Sequence, residues 1–201
     1  STRRLRNRDK KTSENSNMKN FLLTFAAVAT LGSAAFAQQK TDMEPSKTLV
    51  VYFSATGTTA AVAETIARVT GGELFAIEPE ETYTSADLNW NDRNSRSSVE
   101  MNDRNMRPAL KALKENMAGY TVVFIGYPIW WNEAPRIVNT FIESHDLGGK
   151  TVIPFATSGG SGVNNSVSVL KKTYPDIDWK EGRLLNGNSE SAIRQWVESL
   201  K

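Results

Sequence analysis

The sequence predicts an α/β protein of three layers, a five-stranded parallel sheet with helices on both faces. Two observations carry this. Strand-like and helix-like segments alternate from Lys47 to the end of the chain, the pattern of a parallel sheet wrapped by its own crossover helices. Thr121–Tyr127 is a continuous apolar run, not an alternating one, as expected of a strand buried on both faces.

The elements follow in order. Thr48–Phe53 reads as strand and Thr59–Thr70 as helix, with Val62, Ala63, Ile66 and Val69 near helical spacing. Gly71-Gly72 stops that helix and Glu73–Ile77 is the second strand. A long polar stretch, 78–107, precedes a predicted helix over Pro108–Met117. Strand Thr121–Tyr127 leads to helix Pro135–Ser144, with proline in its first turn. Strand Lys150–Ala156, helix Val163–Tyr174 and short strand Gly182–Asn186 come next. The last helix, Glu190–Leu200, carries Ile193, Trp196, Val197 and Leu200 on one face.

The first 46 residues stand apart. Residues 1–17 are polar and basic, and Met18-Lys19-Asn20 then opens an apolar run from Phe21 to Leu31 that ends in Ala35-Phe36-Ala37. A charged start, a short apolar core and an A-x-A site are the marks of a Sec-type signal peptide, here 18–37. The core is shorter than the roughly 20 residues of a spanning helix. Residues 1–17 read as an overextended start or an added remnant, 38–46 as a linker, and 47–201 as the domain. The expected mature chain is exported, periplasmic and soluble, without stable membrane insertion. The leader holds seven of the 24 Lys and Arg and two of the 22 Asp and Glu, so the chain from Gln38 is mildly acidic, at −3. The basic balance of the whole sequence is therefore no nucleic-acid footprint. With no cysteine and one histidine, a zinc site or a Cys-His pair has no ligands to work with.

The most informative stretch is Val50–Ile66, strand into hydroxyl-rich turn into helix. Such a turn aims successive N–H groups and the positive end of a helix at one spot. The loop Ser54-Ala55-Thr56-Gly57-Thr58-Thr59 has no lysine, so it is not a nucleoside-triphosphate loop, and its single glycine rules out the dinucleotide fingerprint. A small monophosphate held by neutral donors suits it.

On these residues, with Tyr52 and Phe53 ending the strand and Ala63 and Ile66 following, the stretch resembles the FMN-phosphate loop of flavodoxins. Two further loops, at the ends of the third and fourth strands, extend the likeness: Tyr127-Pro128-Ile129-Trp130-Trp131-Asn132-Glu133-Ala134-Pro135, and Phe155-Ala156-Thr157-Ser158-Gly159-Gly160-Ser161-Gly162. Together they resemble an exported flavodoxin-like subgroup of Bacteroidetes-type bacteria, over Lys47–Leu200. The resemblance implies a flavodoxin-like sandwich with strand order 2-1-3-4-5 and ligands beyond the carboxyl ends of the strands, the arrangement for which flavodoxin is the standard illustration. It implies FMN, with the phosphate on Ser54–Thr59 and the ring between Tyr127–Trp131 and Thr157–Gly162. Of the adjacent tryptophans, Trp130 is expected on the ligand side and the other in a structural role. Where many flavodoxins place a glycine-containing peptide near flavin N5, this chain has Pro128 and bulky residues.

Among the remaining residues, Trp90 in the polar stretch is a second stacking candidate, or part of a solvated flap. His145 reads as a cation near a helix C-terminus, Glu133 as an exposed charge, and Trp179 and Trp196 as packing. No nucleophile, acid or base stands out. The expected function is FMN-dependent electron transfer to redox partner proteins or small acceptors. The alternative is an FMN-dependent NAD(P)H:quinone reductase or other flavin reductase.

Overall fold

A computed structural model describes residues 47–187 and 189–200. The expected leader, signal peptide and linker lie outside the described residues. Six strands and five α-helices are described: β1 Thr48–Tyr52, α1 Thr58–Thr70, β2 Glu73–Ala76, α2 Arg96–Asn102, β3 Val122–Pro128, α3 Arg136–Glu143, β4 Thr151–Thr157, α4 Asn164–Thr173, β5 Asp178–Trp179, β6 Arg183–Leu184 and α5 Glu190–Glu198.

All pairings are parallel, in the order β2-β1-β3-β4-β5, with β6 also on β4. The expected strand order is thus present. The period of two along each strand sorts its side chains between two cores. Leu49, Val51, Val123, Ile125 and Val152 pack with Ile137, Phe141, Val167 and Leu170 of α3 and α4 on one face. Val50, Phe124, Ile153 and Phe155 pack with Ile66 of α1 and Ile193 and Trp196 of α5 on the other. Gly126 lies opposite both Tyr52 and Phe155, and a Cβ there would lie 2.1 Å from the Phe155 ring.

The fifth sheet position is split, and Pro154 explains why. Val152 O accepts from Lys180 N and Ala156 O from Leu185 N, both at 2.8 Å, so the even-numbered residues of β4 turn their polar groups to this edge. Pro154 falls between them and has no N–H to continue the ladder. The chain leaves the sheet there and rejoins it as β6. Gly182 fits the detour, because a Cβ would lie 2.5 Å from Val167 and 3.4 Å from the Pro154 ring.

One expectation is corrected. Pro108–Met117 is not helical, and only the short 3-10 turn Met117–Gly119 is found there. Its backbone is used elsewhere: Glu80 N donates to Ala109 O and Lys111 N to Glu78 O, both at 2.9 Å, and Lys114 N donates to His145 Nε2 at 2.9 Å. Isolated helical propensity over ten residues is weak, and these tertiary partners outweigh it. Conversely, the stretch 78–107 is ordered around α2, whose N-cap Ser95 accepts from Ser98 N. It is clamped to α3 by Arg107, which donates to both Glu143 oxygens at 2.8 Å, and by Arg136, which donates to Met101 O at 3.0 Å and Asp103 O at 3.2 Å.

Two outcomes are expected. Gly126→Ala forces a methyl into the Phe155 ring and lowers stability by about 1–3 kcal/mol in denaturant unfolding; an unchanged midpoint would show that the ring moves aside freely. Arg107→Ala costs about 0.5–1 kcal/mol at neutral pH, a partly screened value for a pair at the surface. The hydrogen bonds from Arg107, and then from Tyr174, hold the Glu143 carboxyl below its usual range. That contribution is full above the unfolded carboxylate pKa of about 4.3 and is lost as pH falls through the lower folded value. The gap between Arg107→Ala and the parent therefore narrows as pH falls below the unfolded carboxylate value and through the lowered folded one, and thermal melts at successively lower pH check it.

Candidate functional site

The carboxyl ends of β1, β3 and β4 meet at one edge, where Ile129 N extends the ladder to Thr157 O at 2.8 Å. After β1 the chain turns sharply: Gly57 N donates to Ser54 Oγ at 3.1 Å, and Gly57 takes a φ of 92° that only glycine adopts without cost. α1 begins at the next residue. Thr59 is 1% exposed, and its hydroxyl meets that of Thr157 at 2.8 Å, joining the start of α1 to the end of β4. Among the described residues no partner is found for the Thr56 and Thr58 hydroxyls, and the first amides of α1 have no intrahelical acceptor. The result is a cluster of unused neutral donors at the positive end of a helix.

After β3, Trp130 and Glu133 exchange backbone hydrogen bonds at 3.0 and 2.9 Å around a two-residue turn. Both central residues have positive φ, 46° at Trp131 and 63° at Asn132, the mark of a type I′ turn. Asn165 of α4 holds this turn by donating to Asn132 O at 2.9 Å. Trp130 folds back, its ring edge-on to Phe53 and to Tyr83, each at 5.5 Å between centroids. Tyr83 is itself fixed: its hydroxyl donates to Glu100 Oε2 at 2.5 Å, and the Arg96 guanidinium lies 4.0 Å over its ring. Burial, and next the Glu100 bond, push the Tyr83 phenol well above its usual pKa, so it remains a donor.

After β4, Ser158 trades two hydrogen bonds with the Asn186 side chain, 2.8 Å from its N–H and 2.5 Å to its carbonyl. The Ser158 hydroxyl accepts from Gly160 N and Ser161 N at 3.1 and 2.7 Å. This loop is therefore fastened at its base, which a run of glycines alone does not ensure.

These loops enclose two adjoining chambers of about 570 Å³ each. The inner one runs from the threonine turn, past Pro128, Ile129 and Trp130, to Ser158, Gly159 and Asn186. The outer one shares Leu88, Ile129, Trp130, Ser158 and Gly159 and adds Trp90, Ser97, Trp131, Gly160 and Ser161. Among the described residues no charged side chain lines either.

The sequence profile of the Flavodoxin family matches residues 47–200. The chain belongs to the flavodoxin family. Its fold aligns with the crystal structure of a candidate flavoprotein from Bacteroides eggerthii, at 66% identity and a TM-score of 0.75, over 77% of this chain and 97% of that one. A similar protein from Bacteroides uniformis is 55% identical, also with a TM-score of 0.75, over 76% of this chain and 98% of that one. A Lactobacillus acidophilus flavoprotein, solved in complex with FMN, shares the fold at 21% identity and a TM-score of 0.61, covering 76% and 99% of the two chains. A comparison with curated proteins finds no match.

In this flavodoxin-family chain, Ser54, Ala55, Thr56, Thr58, Thr59, Pro128, Ile129, Trp130, Thr157, Ser158 and Gly159 line the inner chamber as a group. Gly57 shapes the turn without lining it, Trp131 and Gly160 face the outer chamber only, and Gly162 lines neither. Tyr127 belongs to the core: it is fully buried with its hydroxyl 3.2 Å from Ser166, and burial pushes its pKa up to about 12. Glu133 is no exposed charge, because Arg136 binds it at 2.8 Å. His145 is held at both ring nitrogens: its Nδ1 meets Phe141 O at 2.7 Å and its Nε2 accepts from Lys114 N at 2.9 Å. Among the described residues no group of three or more acidic, cysteine or histidine side chains is arranged for a metal, and no helix is long and apolar enough to cross a membrane. Ser161 of the glycine loop lines the outer chamber as expected, while Leu88, Ser97, Asn186 and Gly187 complete the chambers and carry no motif of their own.

Thr157→Val keeps the shape of the buried pair but leaves the Thr59 hydroxyl without its partner. Stability is expected to drop by about 1–3 kcal/mol, read by denaturant unfolding; no loss would mean the pair fastens nothing.

Proposed function

We propose that this protein binds FMN in the inner chamber and serves as an electron-transfer flavodoxin. The observation that carries this is the set of unpartnered neutral donors, Thr56, Thr58 and the first amides of α1, facing a cleft walled by Trp130. A phosphate monoester fits it: its oxygens accept from hydroxyls and N–H groups, and the helix end favours its charge without any lysine. Ser54, Thr56, Thr58 and Thr59 hold the phosphate in this reading, with Gly57 setting the turn. Ile129 and Trp130 lie along one side of the ring, and Gly159 in the loop after β4 faces its polar edge.

When bound, FMN supplies the redox chemistry, accepting one or two electrons. The chain's residues bind, orient and tune. The Trp130 ring, locked by Phe53 and Tyr83, presents an apolar face and keeps water from one side of the cleft. Asn186 and the Ser158 hydroxyl occupy the amides of Ser158, Gly160 and Ser161 and so hold the opposite loop in place. No residue is needed as acid, base or nucleophile. Partners are redox proteins or small acceptors, and the leader directs the chain to the periplasm, where the mature domain is soluble.

A second reading, a flavin reductase with its own small substrate, is favoured by one feature, the outer chamber beside Trp130. The experiment is FMN titration followed by absorbance and flavin fluorescence. Wild type is expected to bind one equivalent, and the double variant Thr56→Ala/Thr58→Ala to bind at least about 10-fold more weakly at unchanged thermal stability, because neither hydroxyl supports the fold. Unchanged affinity would remove the phosphate from this loop. Rapid bleaching of the bound flavin by NADH or NADPH alone would move the assignment to the reductase.

A further inference from the structure

We propose that Asn186-Gly187 is a self-modification site, at which loss of the Asn186 side-chain amide releases the loop after β4 and makes the cleft wall anionic. The reaction itself is independent of the preceding reading; only its consequence for FMN rests on it.

The sequence contains a single Asn–Gly pair, Asn186-Gly187, and the fold leaves both residues exposed in the turn between β6 and α5. Glycine has no side chain to hinder approach of its own nitrogen to the preceding amide. Gly187 has a φ of 60°, and among the described residues no hydrogen bond from its N–H is found. The step balances as a hydrolysis. The Gly187 nitrogen gives its proton to solvent and bonds to Asn186 Cγ; the Cγ–Nδ2 bond breaks and ammonia leaves. Water then opens the cyclic imide at either carbonyl, giving aspartate or isoaspartate. Nothing is oxidised or reduced, and water is the only co-reactant.

The consequence follows from what Asn186 holds. Ser158 N donates to its Oδ1 at 2.8 Å, and its Nδ2 donates to Ser158 O at 2.5 Å. A carboxylate can keep the first bond, but it has no proton for the second and sets an oxygen against a carbonyl. In isoaspartate the main chain runs through the side-chain carbon, so the pairing is lost as well. Ser158, Gly159 and Asn186 all line the inner chamber. The product therefore loosens one wall and adds a negative charge beside an anionic guest.

The same contact governs the rate. While both bonds hold, the amide cannot turn freely toward the Gly187 nitrogen, so reaction proceeds from the open loop. A guest in the chamber keeps the loop closed and slows it. Copies without cofactor are thereby altered irreversibly, and loaded copies are spared.

The test incubates the full chain with and without saturating FMN at mildly alkaline pH. The tryptic peptide Leu184–Arg194 is sequenced by tandem mass spectrometry, and isoaspartate is counted by enzymatic methylation. Conversion at Asn186 is expected, at least about 5-fold slower with FMN bound. Asn186→Asp is expected to melt lower than wild type and to bind FMN at least about 10-fold more weakly. That deficit shrinks as pH falls toward the usual aspartate value of about 3.9, because a protonated carboxyl again donates to Ser158 O. Aged wild type, separated by its added negative charge, gives the same comparison without a substitution. An Asn186 that stays intact in the folded, FMN-free chain, under conditions that convert the urea-unfolded chain, overturns the proposal. So do equal rates with and without FMN, or undiminished FMN affinity in both Asn186→Asp and the aged protein. If wild type binds no FMN, the reading of the inner chamber fails instead, and conversion together with a lowered melting temperature of the aged protein then decides this one.

Discussion

Gly126 lies at the centre of the sheet, opposite Tyr52 on β1 and Phe155 on β4, with the Phe155 ring filling the space a side chain would take. Because that ring is also part of the core under α1 and α5, one contact ties the register of three strands to the packing of a whole face. Register matters here more than stability. A slip of one residue in a parallel strand turns every side chain to the opposite face. It would also move Thr157 away from Thr59 and Pro128 away from Thr157, and the loops that form the cleft would no longer end at one level.

What stands on that frame is a site assembled almost wholly from neutral groups. Charged residues are close by, but they are spent on one another: Arg136 on Glu133, Arg107 on Glu143, Arg96 on Glu100. The first two fasten the tryptophan turn and the 78–116 segment to α3, the third lies within α2, and all three pairs keep their charges off the cleft walls. A neutral cleft lets the positive end of α1 act on an anion without competition from side chains. Helix ends contribute roughly 0.3–1 kcal/mol at the surface and up to about 2 when partly buried.

The parts legible in the sequence were those whose cause is local. The threonine turn announces itself because glycine, hydroxyls and helix start are contiguous, and the buried run at Thr121–Tyr127 needs no partner to be read. The failures share the opposite property. Pro108–Met117 has helical periodicity, but its amides and carbonyls are taken by residues near 78–80 and by His145. Asn186 and Ser97 reach the cleft only because segments far apart in the chain converge. Pro154 was visible all along, but its effect depends on which neighbour its missing N–H faces, and that follows only from the register. The two tryptophans fall between these cases. Their adjacency is plain in the sequence, yet the turn that sends Trp130 inward and Trp131 outward requires positive φ at Trp131 and Asn132, which asparagine suggests and tryptophan does not.

The interruption at Pro154 also shapes how molecules of this protein meet one another. An outer strand with a long row of unpaired amides is a template on which a second chain can add by backbone pairing. Here that margin is two fragments of two residues each, Asp178–Trp179 and Arg183–Leu184, separated by a detour and bordered by Lys180 and Glu181. The opposite margin, Glu73–Ala76, is only four residues long. Both margins are short for intermolecular strand addition, and at the β5–β6 margin it is the proline that weakens the ladder which guards the sheet against self-association.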